Sequence, residues 1–247
     1  IMRLLYIIYQ ICIGLPLFLV ATVITTIVTI VGCRLGDGNF WGYYPGHLWS
    51  VFTCRVFLLP ISVTGRENID KDTSYVFVAN HQGSFDIFLI YGFLHRNFKW
   101  MMKQSLRNVP LVGKASEAAG FIFVDKSSPR KIVETIKKAE KVLQGGTSMV
   151  VFPEGARTYT GRMRDFKKGA FLMADQLQLP VVPLTIDGAF EVMPRTSHLL
   201  SWHPMKLTIH PPVYPTGKKG EENLQKIMTE SYAAIESALP EKHQNKK

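Results

Sequence analysis

Ser74-Tyr75-Val76-Phe77-Val78-Ala79-Asn80-His81-Gln82-Gly83-Ser84-Phe85-Asp86-Ile87-Phe88-Leu89-Ile90-Tyr91 passes from strand to loop to helix, and that order decides the fold. Residues 74–79 are rich in aromatic and β-branched side chains and read as a buried strand. Asp86 opens an apolar run that reads as a helix start, where an acidic side chain meets the positive end of the dipole. The loop with Gly83 and Ser84 therefore falls at the carboxyl end of a strand, where α/β proteins place their chemistry. Outward from it, strand-like runs recur near 98–103, 120–124, 148–152, 181–186 and 205–210, alternating with helical segments. That is an α/β pattern. The clearest helix runs from an N-cap at Ser128 through Gln144, with Ile132, Ile136, Ala139 and Leu143 as its apolar positions, and an amphipathic helix is expected over 221–239.

Of the seven histidines, only His81 has an aspartate five residues on. An alcohol is a poor nucleophile until a neutral imidazole within hydrogen-bond reach takes its proton. A carboxylate on the other ring nitrogen selects the tautomer and stabilises the imidazolium. His81 and Asp86 are candidates for this pair; the plainer alternative is a helix cap and an ordinary first-turn acid. Their spacing matches no ligand pattern such as H-E-x-x-H, so no metal site is expected.

A second constellation is Phe152-Pro153-Glu154-Gly155-Ala156-Arg157-Thr158, at the end of the apolar run 148–152. Gly155 permits a turn that bulkier residues resist. The Arg157 guanidinium offers planar paired donors suited to a phosphate, and Lys103, ending the run 98–103, supplies a second positive charge. Glu154 is expected either to orient Arg157 or to bind a substrate hydroxyl.

Taken in order, these stretches resemble the motifs of the glycerolipid acyltransferase family, and within it the 1-acyl-sn-glycerol-3-phosphate acyltransferases, over residues 60–215. The family's N-H-x-x-x-x-D is matched by Asn80, His81 and Asp86. Its second block resembles Lys103 to Lys126, with Leu106, Pro110, Gly113, Gly120 and Phe121-Ile122-Phe123-Val124-Asp125-Lys126 in register. F-P-E-G-T-R-S corresponds to Phe152 through Thr158, and an apolar strand with proline to Val181-Val182-Pro183-Leu184-Thr185-Ile186. Ala156 departs from the usual Thr, and Lys126 stands where the family often has Arg, a point charge in place of a bidentate fork.

The resemblance implies an α/β catalytic domain with a mixed central sheet flanked by helices. It implies transfer of a fatty acyl group from an acyl thioester to the 2-hydroxyl of 1-acylglycerol 3-phosphate, giving phosphatidic acid. His81 and Asp86 would be catalytic; Glu154, Gly155, Arg157, Lys103 and Lys126 would bind substrate. The donor, acyl-CoA or acyl-carrier protein, is a substrate, and no cofactor is implied. The alternatives are glycerol 3-phosphate or another lysolipid as acceptor, and a noncatalytic membrane-bound lipid-binding protein.

Leu4 to Val31 carries no charged side chain and is long enough to cross a bilayer core of about 30 Å. A second apolar stretch, His47–Pro60, is too short to span and is expected at the interface. Residues 1–60 thus read as a membrane-associated helical segment, spanning or embedded from one side, and 61–247 as the catalytic domain. Arg3, Arg34 and Arg55 against Asp37 leave the first part nearly balanced, so most of the net charge of +10 falls on the second. That charge suits anionic headgroups, a lysophospholipid and the phosphates of the donor. No nucleic-acid module accompanies it, so membrane lipids and no nucleic acid are the expected partners. Cys12, Cys33 and Cys54 form no close metal pair and read as reduced apolar residues. The positive-inside tendency puts the catalytic domain on the cytoplasmic face.

Overall fold

The computed structural model describes residues 1–125, 127–143 and 146–245. Lys126, one of the expected substrate-binding cations, and Gln144, the expected helix end, lie outside the described residues. The helices are α1 (Met2–Leu35), α2 (Tyr44–Val56), α3 (Asp86–Phe93), α4 (Val112–Ala118), α5 (Pro129–Val142), α6 (Lys168–Leu177) and α7 (Glu221–Ser237), with single turns at Gly38–Trp41 and Ala189–Val192. The strands are β1 (Ile61–Thr64), β2 (Val76–Ala79), β3 (Phe98–Lys103), β4 (Ile122–Val124), β5 (Ser148–Val151), β6 (Val181–Asp187) and β7 (Met205–Ile209).

They form one seven-stranded mixed sheet in the order β1-β7-β6-β2-β5-β3-β4. Among the described strands only β6 and β7 pair antiparallel with each other; β2 lies parallel between β6 and β5, with Val76 opposite Val181 and Met149. The loops after β2 and β5 therefore leave the same edge of the sheet side by side. Strand alternation divides the core. Phe77 and Ala79 face a cluster with Leu89, Ile90, Phe98 and Leu184, while Val76 and Val78 face a second with Ile122, Phe171 and Ile227. β2 is covered on both faces and reads as a continuous apolar run for that reason.

β1 was not expected from the sequence. It is an edge strand of four residues with alternating half-buried and exposed positions, a pattern too short to separate from the apolar stretch before it.

The division at residue 60 is a change in composition and not a packing boundary. Tyr43, Cys54, Phe57 and Leu59 belong to the same core cluster as Phe77 and Leu89. α2 rests on α3 through glycines: a Cβ at Gly46 would stand 2.5 Å from the Tyr91 ring, and one at Gly92 3.1 Å from the backbone nitrogen of Val51. α2 buries Ser50, Thr53 and Cys54 and turns Leu48 and Phe52 outward.

α1 is the one helix among the described residues long and apolar enough to cross a membrane. Its 34 residues would extend about 51 Å at 1.5 Å per residue. One side exposes Leu4, Ile8, Leu15, Leu19, Val23 and Ile27. The other is tied down along its length: Tyr6 and Tyr9 hydroxyls donate to the carbonyls of Phe57 and Val56, each at 2.7 Å, and Trp49 Nε1 donates to Thr22 Oγ1 at 3.0 Å.

Candidate active site

The β2–α3 loop turns His81 back onto the first turn of α3. The imidazole Nδ1 lies 2.7 Å from Asp86 Oδ2, which also accepts the backbone N–H groups of Gln82 (2.7 Å) and Gly83 (3.0 Å). Asp86 is fully buried, so this carboxylate is held by the loop it organises. A carboxylate oxygen opposite Nδ1 favours the tautomer that donates from Nδ1, in which Nε2 presents its lone pair. No described residue bonds Nε2, and the side chain is 16% exposed. Phe152 stacks on the imidazole at 3.9 Å between centroids and 11° between planes, with Trp100 stacked behind it at 5.7 Å.

The β5 loop closes the other side. Gly155 takes φ +76°, which only glycine adopts without strain, and its N–H returns to the Phe152 carbonyl. The turn carries Glu154 inward, to 1% exposure. Its Oε1 accepts the backbone N–H of His81 at 2.7 Å and its Oε2 that of Arg164 at 3.1 Å. The expected contact with Arg157 is not made; both carboxyl oxygens are committed to backbone. Burial pushes the Glu154 carboxyl up to about 8, against the downward pull of those two donors.

Arg157 reaches across to the Ser84 hydroxyl, so one guanidinium nitrogen is tethered to the loop bearing the dyad. Thr158 N–H donates to the His81 carbonyl at 2.9 Å, a further stitch between the two loops. Lys103 ends β3, one strand beyond β5 on the same edge, exposed and without an ion-pair partner among the described residues. The structure thus brings His81, Asp86, Glu154, Gly155 and Arg157 together and leaves Lys103 at the rim.

Some contributors carried no recognised signal. Ser84 and Phe152 lie within the quoted motifs, yet their roles depend on partners more than sixty positions away. Arg195 was missed altogether: its guanidinium lies 4.4 Å from the Tyr159 ring centroid and donates to the Arg157 carbonyl at 3.5 Å. An open recess of about 450 Å³ beside the site is lined by Thr160, Phe190, Glu191, Pro194 and His243, and none of the expected site residues lines it. No three His, Cys, Asp or Glu side chains gather as a metal set among the described residues.

A buried carboxylate thus holds an imidazole at the carboxyl edge of an α/β sheet, with a guanidinium tethered to the same loop. A sequence model of the acyltransferase family matches residues 60–187, and the chain belongs to that family. It is 33% identical over 174 residues to a chloroplastic 1-acyl-sn-glycerol-3-phosphate acyltransferase of Arabidopsis thaliana, covering 70% of this chain and 48% of that one. It is 35% identical over 153 residues to the 1-acyl-sn-glycerol-3-phosphate acyltransferase of Saccharomyces cerevisiae, covering 58% and 50%. The chain thus spans about half the length of these curated relatives. The crystal structure of the 1-acyl-sn-glycerophosphate (LPA) acyltransferase PlsC from Thermotoga maritima superposes with a TM-score of 0.76 at 26% identity, covering 94% of this chain and 92% of that one.

Proposed function

We propose that the protein transfers a fatty acyl group from acyl-CoA or acyl-carrier protein to the 2-hydroxyl of 1-acylglycerol 3-phosphate, forming phosphatidic acid. The observation that carries this reading is the 2.7 Å contact of His81 Nδ1 with buried Asp86, which leaves Nε2 as an open base. The acceptor hydroxyl donates to Nε2 and attacks the thioester carbonyl as the imidazole takes its proton. Collapse of the tetrahedral intermediate forms the ester and expels the thiolate, which takes the proton back from His81. Asp86 holds the ring and its transient charge throughout. Arg157, fixed by Ser84, keeps its remaining donors for the acceptor phosphate, with Lys103 adding charge at the rim. The names of the relatives support the acceptor.

The reading extends to location. α1 is fastened to the rest of the chain at Tyr6, Tyr9 and Thr22, which supports insertion from one side; the domain's positive charge supports the cytoplasmic face. A product assay in detergent, offering each lysolipid and glycerol 3-phosphate with acyl-CoA or acyl-carrier protein, tests the proposal. Phosphatidic acid formed from 1-acylglycerol 3-phosphate in preference to the other products is the expected result. A lipid-binding protein would form none.

A further inference from the structure

The segment after Ala189–Val192 runs from the site to the apolar helix α1. At its start the Met193 carbonyl accepts Ser84 N–H at 3.2 Å, and Pro194 pairs with Gly83 in an isolated antiparallel bridge. Farther on, Leu200 exchanges two hydrogen bonds with the Gln10 side chain: Gln10 Nε2 donates to its carbonyl at 2.8 Å, and its N–H donates to Gln10 Oε1 at 2.9 Å. Gln10 is 3% exposed and opens a π-helical turn, Gln10–Gly14. Such turns are rare inside α-helices and recur at functional sites.

On either side of the second anchor the segment turns apolar side chains outward. Leu199 is 44% exposed and Trp202 57% exposed; the Trp202 indole donates to the carbonyl of Leu58, itself 56% exposed, at 2.8 Å. The patch adjoins α1, since Tyr6 bonds the neighbouring carbonyl of Phe57. Arg55, three residues before Leu58, and His198, next to Leu199, are exposed as well. An indole with its N–H satisfied and its ring outward, among leucines and cations, matches the headgroup layer of a bilayer.

We infer that residues 194–203 form a second membrane-contacting element, in which Leu199 and Trp202 enter the headgroup layer of a phospholipid bilayer and hold the mouth of the site at that depth. The inference rests on the membrane-bound reading of α1.

The full chain and Trp202→Phe are compared in vesicles of phosphatidylcholine and phosphatidylglycerol whose acyl chains carry bromine near the headgroup. The parent is expected to show a quenchable tryptophan component that Trp202→Phe lacks; equal quenching would overturn the inference. Separately, Leu199→Ser/Trp202→Ser is expected to raise the apparent KM for a long-chain lysolipid in vesicles by roughly tenfold, leaving that for a short-chain monomeric lysolipid unchanged. An unchanged vesicle KM would count against the element. Flotation separates the two levels: a parent that does not float with vesicles removes the membrane reading itself, whereas one that floats without a Trp202-dependent signal removes only this inference.

Discussion

The backbone N–H of His81 donates to Glu154 Oε1 at 2.7 Å, although the residues lie 73 positions apart. Glu154 also accepts the N–H of Arg164, so one buried carboxyl joins the histidine loop, the β5 turn and the segment beyond it. The imidazole is therefore positioned twice, by Asp86 through its ring and by Glu154 through its backbone.

His81→Ala should lower acyl transfer at least ~10²-fold, the low end for a positioned general base, without unfolding the protein. Asp86→Asn should be comparably severe: its amide can present an N–H to Nδ1 and favour the wrong tautomer, and it disturbs the bonds to Gln82 and Gly83. The check is turnover of purified variants whose circular dichroism matches the parent.

Glu154 links pH to stability. The folded carboxyl holds its proton up to about 8, whereas its ordinary value is 4.5, so between those limits the folded state binds more protons and stability falls as pH rises. Glu154→Gln should flatten that slope, because an amide does not titrate. It should also cost about 1–3 kcal/mol, since its NH₂ would face one of two backbone N–H donors. Denaturant midpoints measured for both proteins from pH 5 to 8 test both statements.

The split between what the sequence told and what it withheld follows the range of the forces involved. β2 and α3 were legible because burial on both faces and a first-turn acid are local signatures. The dyad lies within one loop, so its spacing could be read directly. The role of Glu154 could not be, because its partners are backbone groups brought close only when β2 and β5 pair. Arg195 was hidden for the same reason. That residues 43–59 share a core cluster with the sheet was not legible, because composition records what a surface meets, not what it packs against; α2 turns the small residues Gly46, Ser50, Thr53 and Cys54 inward and Leu48 and Phe52 outward.

Arg157→Ala should weaken use of a phosphate-bearing acceptor by about tenfold to a hundredfold, the worth of a charge-assisted hydrogen bond, with less effect on the same lipid lacking phosphate. Ser84→Ala should shift discrimination the same way but less, since the guanidinium survives and only its tether is lost. Lys103→Ala should add a smaller, salt-sensitive loss, as expected for an exposed charge. Steady-state kinetics on the paired acceptors, at low and high salt, distinguish the three.

The manner of membrane attachment can be read from the two ends of α1. Hydrophobic insertion is not screened by ions, so the full chain should stay with vesicles in high salt and in carbonate. If α1 crossed the bilayer, its first residues would lie opposite the domain; yet Tyr6, Tyr9 and Gln10 are bonded to Phe57, Val56 and Leu200. Kept in the bilayer, those contacts would hold residue 2 on the domain's side. In a variant with Cys12, Cys33 and Cys54 replaced by serine or alanine, Met2→Cys should react with an impermeant thiol reagent added to the domain's side, as should a cysteine placed at Lys218. Labelling of position 2 from the opposite side alone would mean that α1 spans and that its bonds to Phe57 and Leu200 break in the bilayer.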